Sequence, residues 1–267
     1  MSVIELSYGE LALASLLVLA LGAVTALARL GMPRSLLVAA LRTVIQLALI
    51  GLVLETLFSL EGPWWVGLMG LVMLLAAGRE VMARQKHRLT GGWAFGIGTS
   101  AMFISAFSVT VLALVVVIGP DPWYRPQYAI PLLGMLLGNT MTGVALGLDR
   151  LTEGAWRQRA MIENRLMLGE PWREAIGEIR RDATRSGLIP IVNAMAAAGI
   201  VSLPGMMTGQ ILAGSPPALA VKYQILIMFT VAAGTGFGTL AAVSAASRRL
   251  FDERERLRVD RLAAGGG

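Results

Sequence analysis

Positive charge along this chain is gathered into four short clusters separated by apolar runs, and that segregation leaves few folds open. Twenty of the 23 Lys and Arg fall at Arg29/Arg34, Arg79 to Arg88, Arg150 to Arg185 and Arg248 to Arg261. The runs between them are long enough to cross a bilayer, which takes about 20 apolar residues per helix. Loops on the cytoplasmic side collect Lys and Arg, so all four clusters are expected on one inner face. The ten-residue alternating segments of a membrane barrel are missing. The expected fold is therefore all-α, a polytopic integral membrane protein.

Composition agrees. The chain is 55% hydrophobic and 15% charged, where a soluble domain carries about 25% charge. Its 267 residues make one membrane domain with no room for a second globular unit. The net charge of +6 does not point to nucleic acid, because acids alternate with the bases: the eight Arg from Arg150 to Arg185 face seven acids, Asp149 included. That is a solvated helical face. The absence of cysteine removes disulfides, thiolate metal sites and a Cys nucleophile. Glu5 and Glu10 precede the first apolar run where a signal peptide would carry bases, so that run reads as a retained span.

Seven spans fit the runs, at roughly 10–28, 35–58, 63–78, 94–118, 128–148, 187–204 and 218–247. With the C-terminus cytoplasmic, seven crossings put the N-terminus outside. The outer connections then hold Glu5, Glu10, Glu55, Glu61 and Asp121 against a single Arg125, and Trp64, Trp65, Trp123 and Tyr124 fall where an aromatic belt belongs. The transmembrane domain covers 1–247 and a charged cytoplasmic tail 248–267. The segment 203–217 is too broken for one helix and too apolar for a floppy loop. It reads either as a short re-entrant or interfacial helix on the outer side or as an ordinary hairpin.

Few polar residues interrupt the spans. Arg42 stands in an apolar run with Gln46 one turn on, on the same face. An intramembrane charge costs about 2.5–3.5 kcal/mol at a helix centre and faces a partner or a wet cavity. The pair lines a solute pathway, or Arg42 snorkels to the inner interface. In the fifth span, Gly134, Gly138, Gly143 and Gly147 sit at the small-xxx-small spacing that lets helices approach closely, with Asn139, Thr140 and Thr142 among them. Packing, at a subunit interface or within the chain, is the plain account; a pathway role for Asn139 and Thr142 is the other. Asn193 and Gln224 carry the same two readings. Gly234, Gly236 and Gly238 follow no strand and are expected to pack helices rather than bind a nucleotide.

Metal chemistry is thin, and the residues that would hold a metal are unknown. His87, the single histidine, is expected to be solvated in a basic inner loop; Glu55 and Glu61 offer oxygens but also serve as surface acids. No residues form a catalytic set, so the chain is not expected to be an enzyme. It carries no P-loop lysine and so no ATPase site of that type. The longest inner loop, 149–186, contains strongly helical stretches, Glu163 to Leu166 and Pro171 to Asp182. Glu170 and Glu174 stand near the second stretch's start and Arg180, Arg181 and Arg185 near its end, as a helix dipole favours. It suits docking to a soluble partner, or it extends spans five and six into the cytosol.

Three blocks together resemble a known family: Arg42-Thr43-Val44-Ile45-Gln46-Leu47 with Gly51; the run Pro131 to Gly143; and Ser186 to Asn193 continuing through Leu203-Pro204-Gly205-Met206-Met207-Thr208-Gly209-Gln210 to Gln224. They are similar to the FetB-like permeases, membrane subunits of bacterial ABC iron-export systems with plant relatives in aluminium tolerance. The resemblance implies a multi-pass permease of the bacterial inner membrane, working as a homodimer with a separate P-loop ATPase subunit. ATP and Mg would sit on that partner, with no cofactor in this chain. It gives the 149–186 loop the task of coupling, through Pro171, Trp172, Arg173, Glu174, Arg180 and Arg181. For iron or another metal, the cargo the resemblance implies, the expected pathway is drawn from Arg42, Gln46, Glu55, Asn139, Thr142, Asn193, Gln210 and Gln224, of which Arg42, Gln46, Asn139, Asn193 and Gln210 stand at family motif positions. Export of a nucleotide sugar or other polar solute, and an ion-coupled carrier without ATP, are the alternatives.

Overall fold

The computed structural model describes residues 7–29, 31, 33–59 and 62–264. Glu5 and Glu61, two of the acids expected on the outside, lie outside the described residues. The chain divides into two compact units, Met1–Glu61 with Leu212–Ser215, and Gly62–Ile211 with Pro216–Gly267.

In the first unit, α1 (Tyr8–Leu27) begins at a capping box. The Glu10 amide donates to Ser7 Oγ at 3.3 Å and the Ser7 amide to Glu10 Oε2 at 2.7 Å, so two end donors are satisfied reciprocally. It packs beside α2 (Pro33–Ser59) at Gly22, where a Cβ would touch Leu36 and Leu37. Leu41, Val44, Leu47 and Leu52 of α2 are exposed, a surface suited to lipid tails.

The second unit is a helical bundle: α3 (Pro63–Ala83), α4 (Trp93–Ile118), α5 (Pro126–Arg157), α6 (Arg159–Met167), α7 (Trp172–Ala175), α8 (Gly177–Ala197), α9 (Gly205–Leu212) and α10 (Pro217–Arg249). Two π-helical stretches, Phe103–Phe107 and Ala113–Ile118, widen α4. Hydroxyls of Ser105 and Thr110 donate to the Ala101 and Ala106 carbonyls at 2.8 and 2.6 Å and occupy backbone acceptors there. The one pair of strands among the described residues is a short antiparallel ribbon: β1 (His87–Leu89) pairs with β2 (Leu262–Ala264).

At the centre, α5 packs against α8, α10 and α3. Its buried positions recur every three or four residues, through Leu133, Leu136, Thr140, Gly143, Val144, Gly147, Leu148 and Leu151. Lipid tails are as apolar as leucine, so burying leucine does little to drive such helices together; close van der Waals approach does. The α5–α8 seam shows it, with an antiparallel register of small residues: Gly143 against Gly187, Gly147 against Ala183 and Gly154 against Ile179.

Six helices are long and apolar enough to cross a membrane: α1, α2, α3, α4, α5 and α10. The expected sixth span, 187–204, differs. Helix α8 starts ten residues earlier, at Gly177 inside the charged segment, and stops at Ala197. Its apolar part, 186–197, is about 18 Å at 1.5 Å per residue, short of the roughly 30 Å hydrocarbon core. Gly199 in the left-handed region and a bridge between Ala198 and Ser202 turn the chain there before Pro204 and α9. In the opposite sense, α5 has 32 residues, about 48 Å, so its charged last turns stand beyond a bilayer core. The 149–186 segment is accordingly mostly the ends of α5 and α8, with α6 and α7 between them.

Candidate functional site

Polar groups concentrate in two places in the second unit, a seam inside the bundle and a platform at its charged end. The seam lies where α4, α5, α8 and α10 meet. A Cβ on Gly143 would lie 2.7 Å from Thr235 Cγ2, 2.8 Å from Thr239 Oγ1 and 2.9 Å from the Gly187 carbonyl oxygen. One on Gly238 would lie 2.7 Å from Ser105 Oγ, beside the first π-helical stretch, and 2.5 Å from Thr140 Cγ2. Thr140, Thr235 and Thr239 are almost wholly buried, and their hydroxyls have no hydrogen-bond partner among the described residues. A buried unpaired hydroxyl costs about 1–3 kcal/mol. Three stand at one helix junction, next to a π-helix of the kind found at functional sites, and concentrate unpartnered buried hydroxyls there among the described residues.

The sequence-predicted pathway residues divide around this seam. Asn139 and Gly138 lie on an uncovered side of α5: Asn139 Nδ2 donates to the Met135 carbonyl at 2.9 Å, and nothing stands within 4 Å of a Cβ on Gly138. Thr142 Oγ1 donates to the Gly138 carbonyl at 3.1 Å. Gly143 and Gly147 occupy the tight seam, while Gly134 meets only the tip of Met73. Asn193 shares a groove of about 750 Å³ with Arg180, Arg181, Leu240 and Ser244, between α8 and α10. Gln224 is buried, and its side-chain oxygen, like that of Gln210, has no hydrogen-bond partner among the described residues. Arg42, Gln46 and Glu55 lie on α2 of the first unit, with Arg42 and Gln46 one helical turn apart.

At the charged end, three of the four basic clusters come together. The Lys86 amide donates to Asp149 Oδ1 at 2.7 Å, and Lys86 Nζ stands 3.6 Å from Glu153. His87, expected as a solvated loop residue, instead lies in β1 and stacks on Trp156 at 5.0 Å and 17°; pairing with the tail strand pins the loop against α5. Arg165 fastens α6 to the next segment, 3.3 Å from Glu170, 3.8 Å from Glu178 and 3.4 Å from the Glu174 carbonyl. Trp172, at the start of α7, is buried against Phe251 and under the guanidinium of Arg248. Its backbone N–H donates to Glu255 Oε2 at 3.0 Å, across 83 residues of sequence. Around this contact Arg173, Glu174 and Arg181 are exposed, Pro171 precedes the helix, and Arg180 is half-buried.

The tail from Leu250 to Ala264 is thus folded structure. Asp252 organises its turn, accepting from the amides of Arg256 and Arg254 at 2.9 and 3.0 Å and from Arg256 Nε at 2.9 Å. The Arg256 amide first, then its guanidinium and the Arg254 amide, hold the Asp252 carboxyl below its ordinary value. Arg258 does the same to Asp260 through a two-pronged contact, both prongs at 2.8 Å.

Sequence reading passed over Arg165, Glu255, Gly187 and the seam threonines Thr235 and Thr239. Gly187 and Gly238 carried a signal in being small residues in apolar helices, but their partners are distant in sequence. Glu255 carried none, since one acid in a charged tail is like another until the chain folds.

The fold and these two sites define a class: an α-helical, multi-pass membrane protein with an ordered charged end built from three chain segments. Within that class the chain belongs to the uncharacterised protein family UPF0014, which it matches over residues 8–251. It is 41% identical to UPF0014 membrane protein slr1647 of Synechocystis over 242 residues, 90% of this chain and 93% of the relative. It is 31% identical over 258 residues to the probable iron export permease protein FetB of Escherichia coli, 95% of each chain. UPF0014 membrane protein STAR2 of rice is 33% identical over 200 residues, 75% of this chain and 68% of the relative. No solved structure matches the chain.

Proposed function

We propose that the chain is the membrane-spanning permease subunit of an ATP-driven ABC exporter of iron or another metal. It acts as a homodimer in the bacterial inner membrane with a separate ATPase subunit that carries ATP and Mg. The observation that carries this reading is the folded platform at the charged end, in a chain 31% identical over 95% of its length to a probable iron export permease. A polytopic protein with no soluble partner has little need to lock a four-residue helix, a tail and the end of α6 into one surface by Glu255, Arg248 and Arg165. A protein that receives force from an ATPase needs that rigidity. The platform lies in the cytoplasm and the N-terminus outside, which requires a seventh crossing; α8 alone is too short for it, so the segment after Ala197 through α9 completes it.

Alternating access supplies a role for the seam. Hydroxyls of Thr140, Thr235 and Thr239, unpaired in this state, gain water when α8 and α10 part from α5, which offsets the cost of opening close glycine contacts. Among the described residues no group of three or more His, Asp or Glu could hold a metal ion. Cargo contacts in this reading fall to the amide and hydroxyl oxygens of Asn139, Thr142, Asn193, Gln210 and Gln224, hard donors suited to a transient rather than a tight site. The uncovered Gly138–Asn139 face of α5 is the place where a second copy brings a second set.

Two experiments test the reading. Purified in mild detergent from its native membrane, the chain should bring a stoichiometric P-loop ATPase, and the combined change of Arg173, Glu174 and Arg181 to Ala should release it. Solute movement in liposomes by the chain alone, without ATP, would replace this account with an ion-coupled carrier. Orientation is separable, because the chain has no native cysteine. A cysteine placed at Asp121 should label from outside the cell and one at Glu163 should not; the reverse pattern overturns the orientation.

A further inference from the structure

A groove of about 640 Å³ opens where the membrane helices end and the tail begins, walled by Trp93, Arg248, Arg249, Arg254 and Arg261. Asp252, Glu253 and Arg256 also face it, but Asp252 is already engaged by Arg256 at 2.8 Å. Among the described residues no carboxylate lies within ion-pair distance of Arg248, Arg249, Arg254 or Arg261, the tail's other pair being Arg258 with Asp260. Glu253, with Asp260 acting on Arg261 from beyond ion-pair distance, does not balance four arginines, so the concave site keeps a surplus of positive charge.

The site is also built. Arg249 lies 4.3 Å over the face of Trp93, and Arg248 5.4 Å over Trp172, so aromatic faces hold both side chains while leaving guanidinium N–H donors for a ligand. Arg261 Nη1 donates to the Arg249 and Phe251 carbonyls at 2.8 and 3.2 Å, which ties the tail across the groove. Planar guanidinium forks match phosphate oxygens better than ammonium groups do.

Its place at the ends of two helices able to span a membrane points to the ligand. Arg248 and Arg249 are the last turn of α10, and Trp93 is the first residue of α4, both among the helices able to span. Trp93 is half-exposed, as interfacial tryptophans are. We infer that this groove binds the phosphate of an anionic phospholipid headgroup, holding one lipid between the end of α10, the start of α4 and the tail. The inference rests on reading α4 and α10 as membrane spans and is independent of the transport reading.

The test uses the full chain in detergent with an equimolar mixture of phosphatidylglycerol and phosphatidylcholine of identical acyl chains, followed by native mass spectrometry. One phosphatidylglycerol should be retained in preference. Arg254→Gln, on the exposed tail, should lower that retention roughly fivefold, and Arg249→Gln with Arg254→Gln more than tenfold. Arg150→Gln, an exposed base outside the groove, should leave it unchanged. Equal retention of the two lipids, retention unaffected by Arg254→Gln, or an equal loss in the Arg150→Gln control would overturn the site. Displacement by inorganic phosphate at the lipid's own concentration would assign the groove to a free anion and overturn the lipid. None of these readouts involves the ATPase or transport, so failure here leaves the proposed function standing, and the reverse.

Discussion

Gly143→Leu is expected to lower the thermal unfolding midpoint of the detergent-solubilised protein sharply, while Gly138→Leu, five residues earlier on the same helix, leaves it nearly unchanged. A side chain at 143 has nowhere to go. Its Cβ alone would lie 2.9 Å from the Gly187 carbonyl oxygen, a backbone atom, and 2.7 and 2.8 Å from Thr235 and Thr239, which are themselves buried. Helix propensity argues the other way, since glycine inside a helix costs about 0.5–1 kcal/mol relative to alanine. Overpacking costs about 1–3 kcal/mol and more when backbone must move, so the clash decides the sign even for Gly143→Ala. At position 138 a Cβ meets nothing within 4 Å, and only propensity remains. Equal midpoints for the two leucine variants would mean that the α5–α8–α10 junction is not tightly closed around Gly143. If Gly138→Leu unfolds normally yet abolishes transport, the uncovered α5 face is where cargo or a second copy meets the chain.

On the proposed transport reading, Glu255→Ala should disable coupling without unfolding the bundle. In the native chain the Glu255 carboxylate accepts from the Trp172 amide at 3.0 Å and so places negative charge at the start of α7. Removing it leaves that donor to water or to nothing, a change of about 1–3 kcal/mol, and unlatches the tail from the segment carrying Arg173 and Glu174. Each 1.4 kcal/mol is tenfold in an equilibrium constant, so the ratio of latched to unlatched platform should fall roughly tenfold. The amount of co-purifying ATPase and the ATP-dependent transport rate should fall with it. Glu255→Gln keeps an acceptor oxygen and should lose much less. Undiminished ATPase association in the alanine variant would show that the latch is not part of the docking surface.

The two sites differed in how far they could be read before folding. Glycine spacing in the fifth span marked Gly143 and Gly147 as places of close approach, because a helix brings residues four apart onto one face whatever surrounds it. The spacing did not distinguish Gly138, which faces open space, from Gly143, which meets three neighbours. That difference depends on which side of α5 the partner helices occupy. Likewise the charge of the Arg150 to Arg185 segment was visible, but not that Arg165 is its fastener, since the bond to Glu178 depends on the turn at Leu168 and Gly169 that folds α7 back. The 187–204 stretch looked like a full span by hydropathy. Pro190 and Gly199 both lie within it, and the helix ends at Ala197.

By itself, then, the sequence determined the all-helical membrane class, the positions of the long spans and the grouping of basic clusters. These depend on hydropathy summed over about 20 residues and on charge exclusion from lipid, both properties of local composition. Tertiary structure alone decided that the tail is an ordered part of the platform, that Glu255 caps a helix 83 residues away, that His87 stacks on Trp156, and that three threonine hydroxyls share one buried seam. Each of these pairs residues far apart in the chain. Such pairing is settled only when whole helices dock, because no local period records which distant side chain will fill a glycine's empty place.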